Sequence, residues 1–282
     1  MGSNYWDLIA WYLKFENLMH AATTTPALST SREVAISLQG VSIGYNGNAI
    51  IESIDLDILA GEILFIGGGS GSGKTTLLSC LTALRKPIAG SIVIDGVNIA
   101  DATDAEIQHV RRRFGVMYQL GALFGGKTLL ENVRLPLEEF TDLSDDAMDD
   151  VARTKLGLVG LGAHAHKEPS EISGGMQKRA AIARALALDP PIIFLDEPSA
   201  GLDPVTSADL DAMVKALNHM LGTTFVIISH ELASIYAIAD RFAMLDGARK
   251  KLVALGPPAE LREKTTDEWV RRFLNRVPSG DA

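Results

Sequence analysis

Positive charge and long apolar runs are both scarce in this sequence. Its 26 lysines and arginines are outnumbered by 35 acidic residues, giving a formal net charge of −9. This balance disfavours broad electrostatic attraction to nucleic acid or to anionic lipid. Apolar runs such as 192–195 and 225–228 have the length of strands, and every uninterrupted apolar run in the chain falls short of the roughly 18 residues that a membrane-spanning helix needs. Near the N-terminus, charged residues interrupt the apolar ones and no basic region precedes them, so we do not expect an export signal.

Cysteine is nearly absent, since Cys80 is the single one in 282 residues. A lone cysteine cannot form an intramolecular disulfide, which favours a reducing compartment such as the cytoplasm. Aromatic residues make up only 6% of the chain, yet five of them lie within residues 1–19, where we predict an aromatic helix. Three interpretations of this helix stay open: it lies in a membrane interface, it packs on a partner subunit, or it reflects the choice of start site, because Met19 would begin a shorter chain.

Apolar strand segments alternate with helical ones over most of the remaining chain. This alternation predicts an α/β fold built on a parallel sheet. Between about 125 and 188 the pattern is helical without strands, which predicts a helical insertion. We therefore expect an N-terminal helix and linker at 1–35, a globular domain at 36–256 and a helical tail at 257–282.

A glycine-rich segment follows the predicted strand 63–66 and precedes a predicted helix at 76–84. It has the spacing of a phosphate-binding loop, which is a glycine, four residues and then Gly-Lys-Thr. Glycines let backbone N–H groups approach phosphate oxygens, and the helix N-terminus adds free donors. Lys74 is expected to reach the β- and γ-phosphates of a nucleotide, and the Thr75 hydroxyl to ligate Mg²⁺. The predicted nucleotide-binding residues here are Gly68, Gly69, Ser70, Gly71, Ser72, Gly73, Lys74, Thr75 and Thr76.

Two carboxylates end a second buried strand, because the apolar run 192–195 leads directly into Asp196 and Glu197. Burying such acids is costly unless they have a use. At the end of a strand near the phosphate loop, Asp196 is expected to hold Mg²⁺ through water, and Glu197 to polarise the water that attacks the γ-phosphate. The alternative, in which Asp196 only caps a helix, leaves Glu197 unexplained.

A second glycine turn precedes another helix and offers a further phosphate-facing helix N-terminus. Its predicted ATP-binding residues are Ser173, Gly174, Gly175 and Met176. The two helix starts need not serve the same nucleotide. If two chains pack head to tail, each ATP is covered by Lys74 of one chain and Ser173 of the other.

Two polar side chains follow other predicted strands. Gln119 comes after the strand 114–118 and is expected to contact the metal or the attacking water. His230 comes after the strand 225–229 and is expected to contact the γ-phosphate. The alternative for His230 is a histidine that merely packs in the core.

In their order along the chain, these motifs resemble those of the nucleotide-binding subunits of ABC transporters. The residues and segments that carry the resemblance are Tyr45, 68–75, Gln119, 173–177, 196–197, 199–203 and His230. The resemblance covers residues 36 to about 256 and implies a RecA-like P-loop core with an antiparallel β-subdomain and a helical insertion subdomain.

The same resemblance implies roles for individual residues. Tyr45 would stack on adenine, although an ordinary tyrosine at a strand end is the alternative. The segment 199–203 would link the two active sites of a dimer. The residues implied in catalysis are Glu197, His230, Gln119 and Lys74, and those implied in holding Mg²⁺ are Thr75, Gln119 and Asp196.

Finer features resemble a narrower group, the ATPases of MCE-type lipid transport systems, which include the Mla phospholipid system. These features are Met176, where most of the wider family has glutamine, and the segments 119–124, 203–206 and 269–275. The resemblance implies two copies beneath an integral membrane permease at the cytoplasmic face of the inner membrane. An MCE-domain lipid-binding subunit and, in the Mla version, a STAS-domain protein complete the implied assembly. Gly69, where the family usually has proline, should loosen the phosphate loop slightly.

The permease contact is expected directly after Gln119. Leu123 and Phe124 are apolar where a loop is ordinarily polar, which predicts a docking groove for a membrane partner. The alternative is that both side chains pack the helical insertion against the core.

These observations predict an ATP hydrolase that powers phospholipid transport between the inner and outer membranes of a bacterium. Two alternatives stay open. The first is the same ATPase serving a transporter of another substrate, such as an amino acid or a lipoprotein. The second is a soluble ABC-type protein that acts as a mechanical switch on DNA or ribosomes. Its usual signs, two cassettes or a long coiled coil, are not visible in the sequence, and the negative net charge argues against it.

Overall fold

The computed structural model describes residues 32–119 and 121–277, and these form two sheets flanked by helices. The aromatic helix predicted within 1–19, Leu120 of the predicted docking segment and the end of the tail at 278–282 lie outside the described residues. The strands are β1 (Val34–Tyr45), β2 (Asn48–Leu59), β3 (Ile63–Gly68), β4 (Ala89–Ile94), β5 (Val97–Asn98), β6 (Phe114–Met117), β7 (Ile192–Asp196), β8 (Thr224–Ile228), β9 (Arg241–Asp246) and β10 (Lys251–Gly256).

The central sheet has six strands in the order β10, β9, β3, β8, β7, β6. Its strands run parallel except β10, which pairs antiparallel with β9. Strands β3, β7 and β8 are buried along their whole length, as expected for parallel strands covered on both faces. The continuous apolar runs of the sequence therefore become the centre of the molecule.

The second sheet is antiparallel, with the order β2, β1, β4, β5. The strands predicted at 34–41 and 54–58 are parts of the longer β1 and β2, which pair along most of their length. Apolar residues of β2 alternate with exposed polar ones, because one face of this sheet packs on the core and the other faces solvent.

Nine α-helices of the described residues connect and cover the sheets, with two short 3-10 helices at Gly162–His164 and Pro169–Glu171. The α-helices are α1 (Lys74–Leu81), α2 (Asp104–Arg111), α3 (Leu129–Phe140), α4 (Asp145–Leu158), α5 (Gly174–Ala185), α6 (Pro204–Leu221), α7 (Leu232–Ile238), α8 (Pro258–Lys264) and α9 (Glu268–Asn275). Capping boxes begin α2 at Thr103 and α3 at Thr128. No helix among the described residues combines the length and apolar character needed to cross a membrane.

Two apolar clusters fill the core on opposite faces of the central sheet. One contains side chains of both sheets and of α1, including Cys80, whose burial raises the pKa of its thiol to about 11. The other joins the sheet to α3, α4 and α5, which form the predicted helical insertion, and to α6 and α9. The insertion and the C-terminal helix thus share one continuous core with the sheet.

Candidate phosphate site

The phosphate loop, Glu197 and His230 leave the central sheet side by side, because β3, β8 and β7 end in register. Ile66 pairs with Ile228, and Ile228 pairs with Asp196. Neighbouring strands are about 4.8 Å apart, so β3 and β7 are separated by roughly 10 Å. In open α/β sheets, ligands bind at this carboxyl edge of the strands.

The phosphate loop requires glycine at two positions for steric reasons. Gly68 has φ of 143°, and a Cβ there would lie 2.3 Å from the carbonyl oxygen of Leu245. Gly73, the residue before α1, has φ of 87°, in the left-handed region. The helix begins at Lys74, two residues earlier than predicted, so Thr75 and Thr76 lie in its first turn. The free N–H groups at this end of α1 therefore face the loop that the glycines form.

Lys74 folds back on the loop that it follows. Its Nζ donates to the carbonyl oxygens of Gly68 at 3.0 Å and Gly69 at 2.9 Å. Burial lowers the pKa of Lys74, while the charges of Glu197 and Asp196 act in the opposite direction. The ammonium group thus lies within electrostatic reach of both acids, and phosphate oxygens offer it better acceptors than neutral carbonyls.

The two acids at the end of β7 have different surroundings. Asp196 is only 8% exposed, and burial, followed by the Glu197 charge, raises the pKa of its carboxyl group. Glu197 adopts a left-handed conformation with φ of 46°, and its backbone N–H donates to Ile228 at 2.8 Å. This turn directs the Glu197 carboxylate to His230, whose Nδ1 lies 2.8 Å from its Oε1. The His230 side chain is 68% exposed, so the core alternative for this histidine is wrong.

Gln119 lies beyond β6 at the same edge of the sheet, and its backbone carbonyl accepts a hydrogen bond from Lys178 Nζ. Sequence analysis did not single out Lys178. Burial lowers the pKa of this lysine, opposed by the charges of Asp196 and Glu197. A second cation therefore faces the acids of β7 from α5. The signal that could have identified it was its place directly after the 173–177 motif, although Arg179 follows it and is not distinguished from it by the sequence.

Tyr45 lies at the end of β1 and is about half exposed. Its hydroxyl accepts a hydrogen bond of 3.2 Å from Thr76 Oγ1, which ties it to the first turn of α1. The guanidinium of Arg85 lies 4.3 Å from the centre of the Tyr45 ring, a cation–π contact that sequence analysis missed. Tyr45 is thus held beside the phosphate loop, where an aromatic face is available for a base.

The second glycine turn belongs to a different part of the molecule. Ser173 caps α5 by accepting a hydrogen bond from the Met176 N–H at 3.3 Å. A Cβ on Gly175 would lie 2.6 Å from Thr206 of α6, so this glycine allows α5 and α6 to approach closely. Its neighbours thus come from α5 and α6, whereas Tyr45, Asp196, Glu197 and His230 lie around the phosphate loop.

The residues available for a metal are oxygen donors. No cluster of three or more His, Cys, Asp and Glu side chains that could hold a metal occurs in the described ranges. Thr75, Asp196 and Gln119 instead supply a hydroxyl, a carboxylate and an amide. Such a sparse set suits Mg²⁺, which retains several waters and takes further oxygen ligands from substrate phosphates.

The segment predicted to contact a permease divides between two environments. Leu123 packs against the core cluster that contains the side chains of α3, α4 and α5, as the alternative interpretation expects. Phe124 is 57% exposed. Asn132 Oδ1 accepts from the Phe124 N–H at 2.8 Å, and Arg184 donates to the carbonyls of Gly121 and Ala122. The backbone that carries the exposed Phe124 ring is therefore fixed by hydrogen bonds to side chains of both α3 and α5.

Comparison with known proteins agrees with this geometry. The sequence pattern of the family described as "ABC transporter" matches residues 51–200. The chain is 43% identical over 243 residues to the "Probable ribonucleotide transport ATP-binding protein mkl" of Mycobacterium leprae, covering 86% of this chain and 69% of that protein. It is 39% identical over 245 residues to the "Intermembrane phospholipid transport system ATP-binding protein MlaF" of Escherichia coli, covering 87% and 90%.

Solved structures show the same fold. A dimeric post-hydrolysis state of the ATP-binding cassette MJ0796, bound to ADP and Pi, matches 79% of this chain and 98% of its own with a TM-score of 0.70 and 32% identity. The cbiO1 subunit from Clostridium perfringens matches 87% and 96% with a TM-score of 0.76 and 25% identity. The predicted ABC ATPase fold is confirmed. The chain belongs to the ABC transporter family and is an ATP-binding, ATP-hydrolysing subunit of such a transporter.

Proposed function

We propose that this ATPase powers phospholipid transport between two bacterial membranes through a partner permease. The observation that carries this proposal is the 39% identity to MlaF, which extends over 90% of that protein. The features in 119–124, 203–206 and 269–275 and at Met176 support it. The name of the mycobacterial relative, a ribonucleotide transport protein, supports another cargo as the second candidate.

In the proposed hydrolysis, Lys74 turns from its loop carbonyls to the β- and γ-phosphates, and Tyr45 holds the adenine. Glu197 orients the water for in-line attack on the γ-phosphate. The 2.8 Å contact with His230 fixes the Glu197 carboxylate, and leaves the other histidine nitrogen for the γ-phosphate. Bound Mg²⁺ would neutralise phosphate charge, with Thr75, Gln119 and Asp196 as the residues that hold it.

The active form in this proposal is a head-to-tail homodimer. The turn Ser173, Gly174, Gly175 and Met176 of one chain then covers the ATP held by the phosphate loop of the other. The dimeric MJ0796 cassette with ADP and Pi supports this arrangement. ATP binding closes the dimer, and product release reopens it. In the full assembly, a permease, an MCE-domain subunit and a STAS-domain protein are the partners, and the chain lies peripherally at the cytoplasmic face of the inner membrane.

The roles in hydrolysis are tested with two variants. Glu197→Gln is expected to keep ATP affinity and lose nearly all turnover, because the amide keeps the shape of the side chain without its charge. Lys74→Ala is expected to lose both, since the main cation at the phosphates is gone. Calorimetric ATP binding and phosphate release would be measured on the same samples. Turnover at the parental rate in Glu197→Gln would contradict the assignment.

The cargo is tested by purifying the tagged chain from detergent-solubilised membranes and identifying the proteins and lipids that accompany it. Recovery of a permease, an MCE-domain subunit and phospholipid supports the proposal. A permease with a different binding protein would keep the motor and change the cargo, and recovery of the chain without a permease, an MCE-domain subunit or phospholipid would contradict the proposed assembly.

Two variants then locate the permease contact. Phe124→Glu is expected to lose the permease, because it places a charge in the proposed docking groove. Val34→Glu places the same charge on an exposed apolar residue of β1 and is expected to retain the permease.

A further inference from the structure

The C-terminal helix reaches the phosphate loop through an aromatic side chain. The Cζ2 atom of Trp269 lies 3.6 Å from the position that a Cβ atom would occupy if Gly69 carried one. Trp269 packs on Phe273, which stacks on Phe242, and the Phe242 ring lies beneath Gly67 at the end of β3. A continuous set of rings therefore joins α9 to the loop.

The cap at the start of α9 holds the contact between Trp269 and Gly69 in place. Asp267 caps α9 by accepting from the Trp269 N–H at 2.9 Å and forms an ion pair with Arg249. Arg249 lies in the turn between β9 and β10, and Gly247 of that turn lies close to Ser72 of the phosphate loop. Helix α9 and the loop thus share one support, which fixes the position of the indole.

Trp269 has one feature that packing does not explain. Within the described part of the chain, its indole N–H is buried and finds no hydrogen-bond acceptor. Leaving such a donor without a partner costs free energy, so buried donors of this kind usually have a partner in some state of the protein.

The hydrogen bonds of Lys74 suggest which group could accept from the indole N–H. In this structure the Lys74 Nζ donates to the carbonyl oxygens of Gly68 and Gly69. When Lys74 turns to a phosphate, both carbonyls lose that donor, and the Gly69 carbonyl, in the loop that the indole touches, keeps only a hydrogen bond of 3.2 Å from the Ser72 N–H.

We propose that Trp269 is a positioning residue of the phosphate loop, and that its indole N–H donates to the Gly69 carbonyl when Lys74 moves to the nucleotide. The exchange replaces one donor with another and holds the loop in its nucleotide-bound form. This inference rests on the proposed role of Lys74 as a phosphate ligand. It makes the C-terminal helix a part of the ATP site that none of the loop motifs contains.

The test uses the full-length chain with Trp6 and Trp11 replaced by Phe, which leaves Trp269 as the only tryptophan. Hydrogen bonding by the indole N–H shifts its fluorescence to longer wavelength. We expect this shift on saturation with Mg²⁺-ADP. Lys74→Ala in the same background frees the carbonyls permanently, so it should show the shifted emission without nucleotide.

Affinity provides the second readout. Trp269→Phe keeps an aromatic ring and removes the donor, and calorimetry should show ADP binding weakened by roughly twofold to tenfold, the range that one hydrogen bond contributes. Trp269→Ala should weaken it at least as much. Tyr236→Phe is the matched control, because it removes the 2.9 Å hydrogen bond from Tyr236 to the Leu274 carbonyl and loosens α9 away from the loop. Its ADP affinity should stay parental.

Each contrary result has a separate meaning. A parental chain that does not bind ADP would overturn both the proposed role of Lys74 and this inference. Normal ADP binding with unchanged Trp269 emission, or with parental affinity in Trp269→Phe, would overturn the inference and leave the proposed function intact. A loss of affinity in Tyr236→Phe equal to that in Trp269→Phe would assign the effect to docking of the tail and also overturn it.

Discussion

Asp211 is a titratable residue outside the phosphate site whose environment disfavours its charge. It lies on α6 and lines a cavity of about 450 Å³ with residues that include Leu202, Lys215 and Glu231. Burial raises the pKa of its carboxyl group to about 6, above an ordinary value of 3.8. The folded chain therefore keeps this proton to a higher pH than the unfolded chain does. The contribution of Asp211 to stability is fully present below about pH 4, falls between about pH 4 and 6, and is lost above pH 6.

Replacing Asp211 with asparagine should stabilise the chain at neutral pH. The amide has nearly the same shape and no charge to bury, so the melting temperature at pH 7.5 is expected to rise by roughly 2 to 6 °C after allowance for solvent screening. At pH 4 the difference should vanish. Asp142→Asn, at an exposed position, should change neither value and is the control for charge removal. Equal melting temperatures of Asp211→Asn and the parent at pH 7.5 would contradict the argument.

Asn132 is the residue through which α3 organises the loop before it. It is fully buried. Its Oδ1 accepts from the Phe124 N–H, and its Nδ2 lies 2.9 to 3.1 Å from the carbonyl oxygens of Phe124, Lys127 and Thr128, which share its two hydrogens. A buried asparagine that satisfies this many backbone groups fixes the conformation of the segment that carries the exposed phenyl ring.

Asn132→Ala should therefore destabilise the chain by about 2–3 kcal/mol, because several backbone groups lose their partners at once. Urea unfolding followed by circular dichroism would measure the loss. Ser144→Ala, which removes the N-cap of α4, is a comparison within the same insertion and should cost about 1 kcal/mol. A change below that of Ser144→Ala would show that the loop does not depend on the asparagine.

The sequence predicts elements whose information is local. The strand, glycine loop and helix around Lys74 were predictable because spacing and apolar runs specify them. The end of β7 was predictable for the same reason, because the apolar run 192–195 leads directly into Asp196. Strands β9 and β10 were not predicted, although β9 is buried over most of its length, because short apolar runs do not distinguish strand from helix. Contacts between distant segments were also missed. Lys178 with Gln119 and Trp269 with Gly69 are separated by 59 and 200 positions, and no local pattern links them.

The distribution of site residues over the whole molecule shows why a single chain is an incomplete enzyme in the proposed cycle. Tyr45, the phosphate loop, Glu197 and His230 are gathered at one edge of the sheet. The turn at Ser173 contacts α6 instead, through the close approach of Gly175 and Thr206. In the proposed dimer this turn meets the nucleotide of the other copy.

ATP should therefore control the oligomeric state. Glu197→Gln, which is expected to hold ATP without hydrolysing it, should become a dimer when Mg²⁺-ATP is added, as measured by light scattering after gel filtration. Ser173→Arg in the same background should still bind ATP and remain a monomer, because a bulky cation replaces the cap that faces the partner. A dimer of equal strength in both variants would exclude the turn from the interface.

The burial of Cys80 has a practical consequence for following these motions. A thiol with a pKa of about 11, enclosed between the two sheets, stays protonated and out of reach of maleimide or methanethiosulfonate reagents at neutral pH. Since the sequence holds no other cysteine, one introduced at an exposed position would be the sole labelled site. Spin-label or fluorophore distances across the dimer could then be recorded through the ATP cycle with the native cysteine left in place.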